Sequence, residues 1–215
     1  MTPDLSTFVV LVPIVLGSLA LHELAHAYTA FRLGDPTAKL LGRLTFNPLA
    51  HMDPLGTLMF AITYFSSSFL FGWAKPVPVD PRNLRGNPQR GMALVAVAGP
   101  VTNFALALLA GGILAHVDLS LRVYEVVYQA MLVNIVLGIF NLIPIPPLDG
   151  SRIAGAFMPR ELYLQWSAFD QYGIFVLLGL LFFTQRAGVS LFSGAYSVAL
   201  DVISGVVGGA PLPAV

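Results

Sequence analysis

His22-Glu23-Leu24-Ala25-His26 is the stretch of this chain best equipped to do chemistry. Four residues along an α-helix rise about 6 Å and turn about 400°, so His22 and His26 share one face. Two neutral imidazoles stacked in this way can grip one divalent ion. Glu23 then lies beside the ion and can take a proton from water held there. The bland reading is a pair of hydrogen-bonded core histidines with a Glu partner. The setting counts against it. The stretch lies within an apolar run, residues 5–33, and a charged group in a membrane helix costs about 2.5–3.5 kcal/mol.

A catalytic zinc wants three protein ligands and one open position. The chain has no cysteine and only two other histidines, His51 and His116. Asp149 is the best third ligand. It follows a run of prolines, Pro144, Pro146 and Pro147, at the end of an apolar segment, and it precedes Gly150, which tolerates unusual backbone angles. The alternative is that Asp149 caps or turns the chain at Ser151. His51 competes as a ligand or a supporting group, but its neighbours Asn47-Pro48 and Asp53-Pro54 read as turns, which favours a local hydrogen bond. His116 ends an apolar run beside Asp118 and reads as interfacial.

These residues need elements to carry them, and composition says which kind. The 215 residues are 56% hydrophobic and only 10% charged, with mean hydropathy +0.78. Soluble domains carry about 25% charged residues. With several apolar runs near spanning length, the expectation is an integral, multi-pass membrane protein in contact with the lipid bilayer. Net charge is zero, which leaves no electrostatic case for nucleic acid. The N-terminus lacks a basic stretch and a cleavage site, so the first run reads as a retained span.

The expected fold is an all-α, polytopic bundle of about five to six apolar segments. Residues 5–33 form the first, long enough at about 43 Å to cross a ~30 Å core, with Pro13 and Gly17 as candidate kinks. Residues 55–73 span or dip in and return. Residues 92–117 are rich in Ala and Gly for close packing, with an expected kink at Gly99-Pro100. Residues 123–143 form the fourth run, 172–183 a short fifth, and 189–207 a sixth span or an interfacial helix. Short extended or re-entrant stretches are expected near 38–46 and 75–80. In the second, alternating Val and Pro cannot be helix, and its edge could take a substrate strand.

Together, His22-Glu23-Leu24-Ala25-His26 and Asn141…Pro144-Ile145-Pro146-Pro147-Leu148-Asp149-Gly150 resemble the site-2 protease family of intramembrane zinc metalloproteases. The resemblance extends to Asn47-Pro48…His51-Met52-Asp53-Pro54-Leu55-Gly56, to Gly72-Trp73-Ala74-Lys75-Pro76-Val77-Pro78-Val79 and to Ala98-Gly99-Pro100…Asn103. The chain is similar to the compact branch without PDZ or CBS domains, with residues 1–215 as one membrane-embedded metalloprotease domain. The resemblance implies one zinc ion on His22, His26 and Asp149, Glu23 as general base, and membrane-spanning proteins as substrates. Asn141 and Asn103 are the candidates to hold an unwound substrate chain or its oxyanion; interhelical hydrogen bonds are the alternative for both. The competing function is a non-hydrolytic metal-binding protein or transporter, which needs ligands but no base. A silent scaffold would need neither Glu23 nor Asp149 to be acidic.

Overall fold

In a computed structural model, which describes residues 4–66, 71–186 and 193–208, Asp4 starts the first helix by accepting a hydrogen bond from the Thr7 amide. That helix, α1 (Leu5–Arg32), runs through Pro13 without a break. One short turn follows, α2 (Thr37–Leu40), then the apolar helix α3 (Pro54–Ser66). Asn87 caps α4 (Pro88–His116) by accepting from the Arg90 amide, and Pro88 sits in the first turn, where its missing N–H costs nothing. α4 is continuous through Gly99-Pro100. There Pro100 forgoes the bond to the Ala96 carbonyl, but no interruption results.

α5 (Leu121–Asn141) follows, and the prolines Pro144, Pro146 and Pro147 keep the chain out of helix until α6 (Asp149–Gly155). α7 (Arg160–Ala168), α8 (Asp170–Arg186) and α9 (Ser193–Val207) complete the order. Among the described residues, three helices are long and apolar enough to cross a membrane: α1, α4 and α5, of 28, 29 and 21 residues. α3 and α9 are shorter apolar helices. The protein is an integral, multi-pass membrane protein. Residues 67–70 of the second run, and 189–192 of the last, lie outside the described residues.

Small residues let the long helices approach. Ala20, Ala27 and Ala30 of α1 and Ala93, Ala96, Ala107 and Ala110 of α4 are all buried. A core of Ala107, Ala110, Met131, Ile135, Leu200 and Ile203 joins α4, α5 and α9. Phe71, Leu148 and Leu177 form a second cluster near the turn into α6. Conversely, many large apolar side chains on the spanning helices face outward, such as Val9, Leu94, Val101 and Leu109, as a lipid-facing surface requires.

One expectation fails. Residues 38–46 are not extended: α2 occupies their start and bends follow, because the Leu40, Leu41 and Arg43 amides fold back onto the Pro36, Thr37 and Ala38 carbonyls. Residues 75–80 are irregular and non-helical, as their prolines dictate. Among the described residues there is no β-strand, only one isolated antiparallel bridge between Met52 and Ala74.

Candidate metal centre

α1 turns both imidazoles toward α4, and both are buried, at 4% and 7% exposure. Their far nitrogens are held. His26 Nδ1 lies 2.7 Å from the Val95 carbonyl oxygen, which can only accept, so Nδ1 carries the hydrogen and donates. His22 Nδ1 donates to Asn103 Oδ1 over 2.6 Å. Each ring thus keeps a lone pair on Nε2. The two Nε2 atoms are 2.9 Å apart, and the rings meet at 87°.

Asp149 reaches the same point from the other side. The chain leaves α5 at Asn141 and doubles back so tightly that a Cβ on Gly150 would lie 2.2 Å from the Leu142 carbonyl oxygen. Only glycine fits there. Leu148, not Asp149, is the N-cap residue of α6, so the Asp149 carboxylate is free of capping. Its Oδ2 stands 3.2 Å from His22 Nε2 and 3.3 Å from His26 Nε2, buried and, among the described residues, without a hydrogen-bond donor. Three lone-pair atoms converging this closely repel one another unless a positive charge sits among them. A proton answers one pair; a divalent cation answers all three. The donor set, two imidazole nitrogens and a carboxylate oxygen all within 4.8 Å of one another, is one that zinc takes.

Gly99 forms the wall behind the rings. A Cβ there would meet His22 Cε1 at 2.4 Å and His26 Nε2 at 2.5 Å. From the sequence, Gly99-Pro100 reads as a kink in a closely packed helix, with nothing that ties Gly99 to the histidines. The available signal was energetic: a glycine inside an apolar helix costs ~1 kcal/mol against alanine and so invites a packing reason.

Glu23 projects beside the histidines, and its Oε2 accepts from the Val77 amide at 2.9 Å. Val77 stands between Pro76 and Pro78, neither of which has an N–H, so this is the one backbone donor of that tripeptide. The expected edge for a substrate strand therefore has its donor already engaged by Glu23. The segment is anchored from behind. Buried Arg43 donates to the Lys75 carbonyl at 2.6 Å and to the Pro76 carbonyl at 3.3 Å, and the Lys75 amide bonds the His51 carbonyl at 2.8 Å. The Asp80 amide donates to Asp35 Oδ2 at 2.8 Å.

A cavity of about 390 Å³ opens over this floor, lined by His22, Glu23, His26 and Asp149 with Asn141, Arg152, Trp73 and Phe140. Asn141 is thus on the cavity wall, and its Nδ2 donates to the Leu137 carbonyl at 2.9 Å. Asn103 is elsewhere. It is wholly buried behind His22, with its Nδ2 donating to Asn134 Oδ1 at 2.9 Å, so it braces a histidine and does not line the cavity. His51 makes the local bond expected of it, from Nε2 to the Thr45 carbonyl at 3.0 Å, and stands outside the converging group. His116 Nε2 donates to the Val207 carbonyl near the ends of α4 and α9.

Comparison with known proteins identifies the family. The model of peptidase family M50 matches residues 110–182, the part that carries Asp149. A provisionally named zinc metalloprotease of Bacillus subtilis, YwhC, is 38% identical over 183 residues, covering 81% of this chain and 80% of YwhC. Rip2 of Mycolicibacterium smegmatis, also a provisionally named zinc metalloprotease, is 29% identical over 81% of this chain and 67% of its own length. Zinc metalloprotease MJ0392 of Methanocaldococcus jannaschii is 27% identical over 67% of this chain and 33% of its own. No solved structure matches. With a relative 38% identical over four-fifths of both chains, the chain belongs to peptidase family M50, the site-2 protease family of zinc metalloproteases.

Proposed function

We propose that this zinc metalloprotease cuts peptide bonds in or near transmembrane segments of membrane proteins, with one zinc ion on His22, His26 and Asp149 and Glu23 as general base. Residues 1–215 act as one membrane-embedded catalytic domain. The observation that carries the reading is the convergence of two tautomer-locked imidazoles and one donorless carboxylate oxygen beside a glutamate.

Bound there, zinc supplies Lewis acidity, polarising a carbonyl and making water a stronger acid. The remaining work falls to side chains. Glu23 takes a proton as water oxygen attacks the scissile carbonyl carbon, and returns it to the departing amide nitrogen as the C–N bond breaks. The Val77 amide holds the Glu23 carboxylate against the cavity through that exchange. A substrate helix hides its carbonyls in its own i→i−4 bonds and must unwind before attack. Asn141 uses one N–H on the Leu137 carbonyl and keeps a second for a substrate carbonyl. A transporter needs ligands spaced along a path, whereas the described residues gather them at one place.

The test incubates the detergent-solubilised chain with a panel of single-span peptides, with and without a chelator, beside Glu23→Gln. Cleavage within the apolar span, lost on chelation and lost in a Glu23→Gln protein that still holds zinc, is the expected result. An active Glu23→Gln protein, or wild-type protein without zinc, contradicts it.

A further inference from the structure

We infer that Asn134, on α5, is a positioning residue that fixes the tautomer of His22 through Asn103. The inference rests on the proposed role of His22 as a ligand. An amide side chain can flip end for end, and a flipped Asn103 would offer His22 Nδ1 a donor in place of an acceptor. That would favour the tautomer with hydrogen on Nε2, whose lone pair is then lost to a metal. Something must set the direction of Asn103.

The chain of bonds sets it. Asn134 Nδ2 donates to the Ala130 carbonyl at 2.8 Å and to Ser18 Oγ on α1 at 2.9 Å. The Ala130 carbonyl can only accept, so the nitrogen of Asn134 must face it and Oδ1 must face the other way. Oδ1 then accepts from Asn103 Nδ2 at 2.9 Å, which turns Asn103 Oδ1 to His22 Nδ1 at 2.6 Å. Asn103 and Asn134 are both buried, at 0% and 4% exposure, so no water competes for these ends. One backbone carbonyl on α5 thereby dictates which nitrogen of His22, on α1, keeps its lone pair. Ser18 has a hydroxyl that both gives and takes, so it closes the network without setting its direction.

The experiment measures zinc retention of the full-length, detergent-solubilised holoprotein against a competing chelator, with melting temperature read alongside. Asn134→Leu should weaken zinc binding ~10–100-fold, the range for groups that orient metal-bound histidines. Ser18→Ala should leave it unchanged. An aspartate at position 103 presents an acceptor whichever way it turns. On that background, Asn103→Asp with Asn134→Leu should hold zinc within ~threefold of Asn103→Asp alone, a coupling that mere packing would not produce. Should Asn134→Leu fail to fold, Asn134→Ala takes its place in the same comparison. Equal losses in Ser18→Ala and Asn134→Leu, or no rescue by Asn103→Asp, overturn the inference. His22→Ala is measured in parallel. If it keeps zinc, the reading of the metal centre itself fails; if it loses zinc while Asn134→Leu does not, only the inference fails.

Discussion

The two sides of the centre are built differently. The imidazoles stand on one helix, their far nitrogens bonded to groups of another, with Gly99 pressed against the rings. The carboxylates depend on irregular chain. Asp149 follows a proline run, and the partner of Glu23 is a single amide on a stretch with no secondary structure. Helices fix position along their whole length, so they suit ligands that must not move. Irregular stretches leave backbone groups unpaired by ladders, which suits contact with an extended substrate, at the cost of needing anchors such as Arg43.

The sharpest way to break that contrast is to exchange charge at constant shape. Glu23→Gln should lower cleavage by at least ~10²–10⁴-fold with zinc content intact, whereas His22→Ala and Asp149→Asn should lose both. Cleavage assays beside elemental analysis separate the cases. Gly99→Ala comes next. Its Cβ must push the rings apart, so zinc affinity should fall at least ~10-fold by chelator competition while the protein stays folded. Unchanged affinity would mean that the wall of α4 yields freely.

Val77→Pro tests the irregular side. It removes the Val77 donor to Glu23, and a hydrogen bond to a charged group is worth ~1.5–3 kcal/mol, so kcat should fall ~10–100-fold with zinc unchanged. The smallest effect is on the anchor between residues 35–37 and 80–83. Burial raises the Asp35 carboxyl, but bonds from Thr37, Asn83 and the Asp80 amide outweigh it and hold its pKa below the usual value. Asp80, bonded by the Arg82 side chain and amide, sits at about 2. Depressed carboxylates stabilise above the unfolded pKa, about 4, and that contribution fades as pH falls below it. Hydrogen-exchange protection at these residues, with each rate taken relative to the intrinsic rate at the same pH, should fall between about pH 4 and pH 2. Asp35→Asn should flatten the change.

Much of this was legible in the chain. A 3.6-residue period places His22 and His26 on one face, and prolines at 144, 146 and 147 announce a break that delivers Asp149. What was not legible depends on contacts distant in sequence. Asn103 braces His22 across 81 residues, and no local pattern distinguishes that from binding substrate. Asn134 gave a faint sign, as an amide inside the apolar run 123–143, without any hint of its partner. The extended stretch expected near 38–46 gives way to local bonds, because the Leu40, Leu41 and Arg43 amides close on carbonyls just behind them in the chain.

Zinc content of the purified full-length chain, measured in parallel for the wild type, Asp149→Asn and Glu23→Gln, tests the assembled centre most directly. The expected result is one zinc per chain in the wild type and in Glu23→Gln, and almost none in Asp149→Asn. A full complement of zinc in Asp149→Asn would contradict the account, because the ion would then be held without the carboxylate that the proline turn brings to the histidines.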